Sequence, residues 1–129
     1  TIALRYFTNV IRKRCTAFLI SDFMNDGFEN SLKIANRKHD VVALNVFDQR
    51  EATLPEGGLM RVRDAETGER IWIDSGSRRV REMYFHHWRE REHSLSELFA
   101  RSGVDVVKIR TDQSYIQPLM AFFKKRGKR

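Results

Sequence analysis

The feature that most constrains the fold is a run of four apolar residues that ends in a hydroxyl and a carboxylate. The run spans residues 17–20 and is followed by Ser21, Asp22 and Phe23. A continuous apolar run of this length is typical of a β-strand buried on both faces, as in a parallel sheet covered by helices. In open α/β sheets, ligands bind at the carboxyl ends of the strands. The run therefore predicts an α/β fold with a parallel sheet. It also predicts that the functional site lies at the carboxyl edge of that sheet.

A second apolar run, residues 41–47, follows after an amphipathic segment and ends at Asp48. Between the two runs, three apolar residues recur at helical spacing: Phe28, Leu32 and Ala35. Asn25 or Asp26 is the expected N-terminal cap of this helix. A strand–helix–strand unit implies that the two strands are parallel and joined by a right-handed crossover.

The remaining segments complete the prediction of a single α/β domain over residues 1–129. Helices are expected at 2–14, 78–101 and 115–125, and a third strand at 104–110. Two short alternating segments flank a glycine-containing loop and predict a β-hairpin within an insertion at residues 54–74. The expected architecture is a partial doubly wound, mostly parallel sheet with this inserted hairpin.

Charge and cysteine content limit the classes of partner. The net charge is +7, but five positive charges lie in the last six residues, so the rest of the chain carries +2: Lys124, Lys125, Arg126, Lys128 and Arg129. We interpret this tail as a solvated terminus and expect no specific nucleic-acid partner. Cys15 is the single cysteine and cannot form an internal disulfide, which favours a reducing, cytoplasmic location; we expect it to be a small core residue. No apolar run approaches the roughly 20 residues of a membrane span.

Carboxylates follow all three predicted strands, at Asp22, Asp48 and Asp112. Because parallel strands end at one edge of the sheet, these side chains have the chemistry of a Mg²⁺ or Mn²⁺ site, with Ser21 assisting Asp22. The alternative is that they cap the helices that follow, which fits Asp112 well and Asp48 less well. A Mg²⁺-dependent phosphotransferase or nuclease using the three aspartates is the enzymatic interpretation. The chain lacks the paired DxD acids such enzymes usually have.

A second candidate cluster lies on the long predicted helix. His86, Glu90 and His93 are spaced to face one side, as zinc ligands do. The surrounding segment is almost wholly charged, which favours an ordinary solvated helix face. No Walker loop, GxSxG elbow, HExxH or CxxC motif is present.

Several short motifs together resemble a known bacterial family. They are Ser21-Asp22-Phe23, RKHDVVA at 37–43, DQRE at 48–51, LP at 54–55 and DAETG at 64–68. In this combination the chain resembles the C-terminal half of domain of unknown function 58. That family is a branch of the von Willebrand factor A-like fold, and its members are encoded beside MoxR-type ATPases.

The resemblance implies a sheet whose upper edge carries a metal-ion-dependent adhesion site. In such domains a DxSxS motif, a threonine and a later aspartate hold Mg²⁺ or Mn²⁺, and Asp22 matches the later aspartate. The DxSxS motif has no counterpart here, so we expect no cofactor in this chain alone. The resemblance implies a non-enzymatic interaction module that acts with a MoxR-type AAA+ ATPase in protein or cofactor assembly.

The resemblance also bears on self-association. Because the chain starts at Thr1 without a methionine, its natural N-terminus is expected upstream, together with the first strands of the domain. The strand at 16–21 would then have one unpaired edge, which is a template for pairing with another chain. We therefore expect a homo-oligomer formed through this edge, or a rearranged segment that covers it. We also expect the hairpin at 59–73 to influence the choice of partner.

Overall fold

The computed structural model describes residues 2–64 and 67–128. Ala65 and Glu66 of the hairpin motif and Arg129 of the basic tail lie outside the described residues. The elements are α1 (Ile2–Val10), β1 (Thr16–Ser21), α2 (Glu29–Lys38), β2 (Asp40–Phe47), α3 (Gln49–Ala52), β3 (Leu59–Arg63), β4 (Arg70–Asp74), α4 (Arg78–Ser102), β5 (Asp105–Arg110) and α5 (Ile116–Arg126).

The main sheet has the strand order β1-β2-β5, and both neighbouring pairs are parallel. This confirms the predicted α/β class and the parallel strand–helix–strand unit. Ser21 of β1 lies beside Asn45 of β2, which in turn lies beside Lys108 of β5. The three strands therefore end at one edge, where Asp22, Asp48 and Thr111 follow them.

The central strand β2 sends alternate side chains into two apolar clusters, one on each face of the sheet. Val41 and Ala43 join the larger cluster with residues of α1, α2 and α4, whereas Val42 and Leu44 join a smaller one beneath α5. Residues 41–45 are all buried. The second apolar run thus has the doubly covered position that a continuous apolar strand requires.

The prediction that β1 is buried on both faces is wrong for this chain. Its residues alternate between exposed and half-buried, and among the described residues it pairs only with β2. Phe18 reaches Phe123 of α5, with ring centroids 6.0 Å apart, but Ile20 remains 67% exposed. An apolar run therefore forms a strand here without two covering layers, because β1 lies at the edge of the sheet.

Two helix boundaries in the N-terminal part of the chain differ from the sequence prediction: the end of α1 and the start of α2. Helix α1 ends at Val10, four residues before the predicted end. The N-cap of α2 is Phe28, which makes no side-chain capping bond, so neither Asn25 nor Asp26 caps this helix. Phe28 is buried against Phe23, with ring centroids 5.6 Å apart, and apolar packing at this junction replaces the expected polar cap.

The C-terminal end of α4 follows the prediction. Gly103 adopts the left-handed conformation at φ +66° and ends the helix, and its N–H donates to the carbonyl of Ala100 at 3.1 Å. Asn36 of α2 donates to the carbonyl oxygens of Ser102 and Gly103 at 3.2 and 2.8 Å. The Oδ1 of Asn36 accepts from the Val41 N–H at 3.1 Å, so one amide joins α2, β2 and α4.

The predicted hairpin is present as a separate two-stranded antiparallel sheet, β3-β4, and does not extend the main sheet. Its base is fixed by the buried Ser75, whose hydroxyl accepts from the Gly57 N–H at 3.1 Å and donates to the Gly58 carbonyl at 2.8 Å. Arg81 of α4 donates to the carbonyls of Ser75 and Gly76 at 2.6 and 2.9 Å. The hairpin is therefore hydrogen-bonded to the start of α4.

The basic tail is partly incorporated into the fold. Arg126 forms ion pairs with Asp40 and Asp105, which lie at the start of β2 and β5. These carboxylates, chiefly Asp40 through its hydrogen bond, raise the pKa of Arg126. The interpretation of the tail as a wholly solvated terminus is thus wrong for this residue. Across residues 2–64 and 67–128, no helix combines the length and apolar character that crossing a bilayer requires.

Candidate functional site

The turn after β1 holds Ser21 and Asp22 through their own side chains. The Phe23 N–H donates to Ser21 Oγ at 3.0 Å, and the Met24 N–H donates to Asp22 Oδ1 at 3.2 Å. Phe23 has a left-handed backbone at φ +52°, which is unfavourable for a non-glycine residue. Its ring packs edge-on to Phe99 at 4.9 Å, and this burial holds the strained turn in place. Asp22 is consequently fixed at the exposed edge of the sheet.

Asp48 has a second role besides its place at the sheet edge. Its Oδ1 accepts from the Arg50 N–H at 2.8 Å, and Glu51 Oε1 accepts from the Asp48 N–H at 3.5 Å, which makes a capping box at the start of α3. The Thr111 hydroxyl donates to Asp48 Oδ2 at 3.1 Å. The capping alternative for Asp48 is therefore confirmed, while its other oxygen faces the end of β5.

These residues line one open depression above the carboxyl ends of the strands. Its polar lining consists of Ser21, Asp22, Asp48, Glu51 and Thr111, and its apolar lining of Ile20, Val46 and Phe47. Two of the three predicted aspartates are thus brought to the same site. The lining contains three carboxylates and no basic residue. Because nothing there neutralises them, the depression is suited to a cation.

Asp112 is not part of this lining. Arg110 donates to both of its carboxylate oxygens, from Nε at 3.0 Å and from Nη2 at 2.7 Å. These hydrogen bonds lower the pKa of the Asp112 carboxyl below its ordinary value. Helix α5 has Tyr115 as its N-cap and no side-chain capping bond, so the prediction that Asp112 caps this helix is wrong. Its observed partner is Arg110.

The cluster on α4 has the arrangement of a helix surface. His86 Nε2 lies 3.2 Å from Glu90 Oε1, and His93 Nε2 lies 3.3 Å from Glu97 Oε1, all on exposed side chains. Cys15 is half-buried rather than in the core, with its Sγ 3.5 Å from His39 Nδ1. Over the described residues, no three His, Cys, Asp or Glu side chains come close enough together to hold a metal ion by themselves.

Sequence reasoning missed two residues of the depression, Thr111 and Glu51. Thr111 directly follows β5, so its position in the sequence indicates a place at the edge, but a threonine hydroxyl is a weaker signal of a cation site than the carboxylate of Asp112 beside it. Glu51 lies three residues after Asp48, and this D-x-x-E spacing is the signature of a capping box. From that spacing alone, Asp48 and Glu51 can be recognised in the sequence as the two residues of the capping box.

The geometry defines a small α/β domain with an acidic edge, and comparison with known proteins assigns the family. The family described as "Protein of unknown function DUF58" matches residues 1–94. The chain therefore belongs to the DUF58 family. No solved structure matches the chain.

The relatives that match are mycobacterial proteins described as uncharacterized. One from Mycobacterium avium is 28% identical over 118 residues, which is 89% of this chain and 68% of that protein. Relatives from Mycobacterium tuberculosis and Mycobacterium bovis are each 25% identical over 114 residues, which is 86% of this chain. The chain spans only 35% of the length of the latter two.

Proposed function

We propose that this chain is a non-enzymatic interaction module that binds a partner protein through a divalent cation at the acidic edge of the sheet. The observation that carries the proposal is the depression lined by Asp22, Asp48 and Glu51 and by two hydroxyl groups, with no basic residue in its lining. Carboxylate and hydroxyl oxygens are the hard ligands that Mg²⁺ and Mn²⁺ prefer.

The oxygen ligands of the depression are of the chemical type that such an ion prefers, and they would supply part of its coordination. Asp22 and Ser21 would be ligands from β1, and Asp48 lies in the same depression. Fewer than three acidic side chains are close enough to hold an ion unaided in the described parts of the chain. The other ligands would come from the partner and from a DxSxS motif, which residues 1–129 do not contain. The bound ion would bridge this edge to an acidic group of the partner.

The identity of the partner is inferred from the motif resemblance. We infer a von Willebrand factor A-like architecture with its adhesion site. We also infer that the chain acts with a MoxR-type AAA+ ATPase in protein or cofactor assembly. Both inferences agree with membership of DUF58. The parallel sheet and its acidic carboxyl edge support the same interpretation. A cytoplasmic location belongs to this proposal, since the single cysteine favours a reducing compartment.

The interaction module has more support than a Mg²⁺-dependent phosphotransferase or nuclease. The enzyme would use Asp22, Asp48 and Asp112 together. Arg110 binds both carboxylate oxygens of Asp112, and Asp112 does not line the depression. Asp22 and Asp48 do line the depression, and the hydrogen bonds that they accept come from neutral N–H and O–H groups rather than from a cationic side chain.

The proposal is tested by Mn²⁺ titration of the ¹⁵N-labelled chain, with paramagnetic line broadening as the readout. Broadening is expected first at the amides of Ser21, Asp22 and Asp48. Asp22→Asn should weaken the effect at least about tenfold, which is about 1.4 kcal/mol. Asp26→Asn is the matched control, because Asp26 is exposed and does not line the depression.

The partner is tested by Mg²⁺-dependent capture of the MoxR-type ATPase of the source organism. Capture that is lost in chelator and on Asp22→Asn, but kept on Asp26→Asn, supports the proposal. Metal-dependent turnover of a simple phosphodiester that disappears on Asp22→Asn would instead establish the enzyme. Equal Mn²⁺ broadening of wild type and Asp22→Asn would refute the cation site.

A further inference from the structure

A second cavity lies between the inner face of the hairpin and α4. Its volume is about 280 Å³. The hairpin contributes Val62, Ile71 and Ile73, and α4 contributes the aromatic rings of Tyr84 and Trp88. Small-molecule sites usually have volumes of about 300–1,000 Å³, so this cleft is better matched to a single large side chain than to a cofactor.

The side chains that form this hairpin–α4 cleft are held in place from both sides. Val62 and Ile71 are directly opposite each other in the antiparallel pair, so they form one apolar wall. Trp88 packs against Phe47 of β2 with ring centroids 5.9 Å apart, and the Tyr84 hydroxyl donates to the Arg50 carbonyl at 3.4 Å. Burial raises the pKa of Tyr84, and the nearby Glu51 carboxylate adds to this effect.

The lining of the cleft contains two arginines, Arg63 and Arg91, together with His87 and two carboxylates, and its available groups favour an anionic ligand. Two carboxylates in its lining already serve turns: Glu51 accepts from the Asp48 N–H at 3.5 Å, and Asp64 accepts from the Thr67 N–H at 2.7 Å. Arg91 is half-buried in the lining, and its guanidinium contacts the thioether of Met24. Within residues 2–64 and 67–128, it forms no ion pair. A thioether is only a weak acceptor, so the donors of Arg91 remain available to a carboxylate.

The cleft adjoins the acidic edge of the sheet. Glu51 lines both the depression and the cleft. Met24, which also lines the cleft, donates its N–H to Asp22 Oδ1 at 3.2 Å. Met24 and Glu51 thus connect the cleft to the residues proposed to hold the cation.

We propose that the hairpin–α4 cleft binds a partner segment in which a large apolar or aromatic side chain neighbours a carboxylate. The apolar side chain enters between Ile71 and Trp88, and the carboxylate pairs with Arg91. Trp, Tyr and Arg are enriched among the few residues that dominate the binding energy at protein interfaces, and this cleft offers all three as half-buried side chains. The inference deepens the proposed function by giving the chemistry of the partner, but contact with the cleft itself requires no metal.

The test is a nuclear magnetic resonance titration of the full chain with a short probe peptide, acetyl-Gly-Glu-Phe-Gly-amide, in chelator. We expect shifts at the Trp88 indole N–H and the Arg91 Nε–H. Replacing Glu by Gln in the peptide, or making Arg91→Met in the protein, should each lower affinity at least about fivefold, since a charge-assisted bidentate pair is lost. The two changes combined should cost little more than either alone, because both remove the same contact.

The control variants separate this contact from general effects of charge and folding. Arg79→Met removes an exposed arginine of α4 outside the cleft and should leave peptide affinity unchanged, and Arg91→Lys should retain part of it. Absence of shifts at Trp88, or equal affinity for the Glu and Gln peptides, would overturn the inference. Repeating the titration with Mg²⁺ on wild type and Asp22→Asn tests the cation contact separately. Binding in chelator without any Mg²⁺ effect keeps the cleft and removes the proposed metal bridge.

Discussion

Arg110 and Asp112 are two residues apart at the end of β5, and the guanidinium donates to both carboxylate oxygens. The pKa of Asp112 is therefore below its ordinary value of 3.8. A lowered pKa in the folded state means that the pair stabilises the fold above the unfolded pKa and loses this effect as pH falls through the folded pKa. We expect Arg110→Gln to raise the Asp112 titration midpoint towards 3.8, measured by the carboxyl ¹³C shift.

Arg101→Gln provides the control, because the ion-pair partners of Arg101 are Glu29 and Glu97, whereas Asp112 pairs with Arg110. The Asp112 midpoint should not move in that variant. A wild-type midpoint at or above the ordinary value would contradict the assignment of Asp112 to Arg110. Arg110→Gln also removes the partner of Asp112, the third of the aspartates predicted for the cation site, and so tests whether Asp112 can join that site.

Residue-scale contacts such as these were only partly predictable. The capping role of Asp48 is predictable as an alternative, because an aspartate directly after a strand often caps the helix that follows. Asn36 was not foreseen, since its partners Ser102 and Gly103 are 66 and 67 residues away and nothing local indicates them. The pairing of Asp112 was missed because it depends on the side-chain conformation of Arg110, which the strand pattern does not specify.

At the scale of elements, the hairpin depends on one buried hydroxyl at its base. Ser75 is fully buried and bridges the Gly57 N–H and the Gly58 carbonyl. Ser75→Ala removes the acceptor of the Gly57 N–H, at a cost of about 1–3 kcal/mol, whereas the Gly58 carbonyl keeps the Ser75 N–H at 2.7 Å. We expect faster hydrogen exchange at the amides of β3 and β4, with little change in β2. Ser96→Ala on exposed α4 is the control, and unchanged exchange of the hairpin in Ser75→Ala would contradict this role.

Element positions were recovered well where the apolar pattern is strong. The bounds of β1 agree to the residue with the strand predicted at 16–21, because polar residues limit the apolar run on both sides. The environment of β1 was not recovered, since the burial of a strand depends on which strands lie beside it. The same limitation applies to the start of α2, where packing of Phe28 against Phe23 replaces a polar cap.

At the scale of the whole molecule, the open side of β1 joins two exposed features into one surface. Along the edge that faces away from β2, the backbone of β1 has no strand partner among the described residues. On the α5 face, exposed apolar side chains continue from the strand to the helix: Phe18, Ile20, Ile116, Met120 and Phe123. An unpaired apolar strand edge favours pairing with a second chain. Self-association through this surface remains a prediction.

We expect the chain to form a concentration-dependent dimer through β1, measured by sedimentation velocity. Ile20→Lys should weaken the dimer at least about tenfold, because the added charge would be buried between the two chains. Lysine on a strand edge also opposes pairing with another strand. Ile34→Lys is the matched control, since Ile34 is 51% exposed on α2, away from β1, and Ile20 is 67% exposed. A monomer at all concentrations, or equal weakening by the two variants, would exclude β1 as the interface. Loss of the dimer in Ile20→Lys alone would show that the edge of the sheet is the surface by which this chain recognises a neighbouring strand.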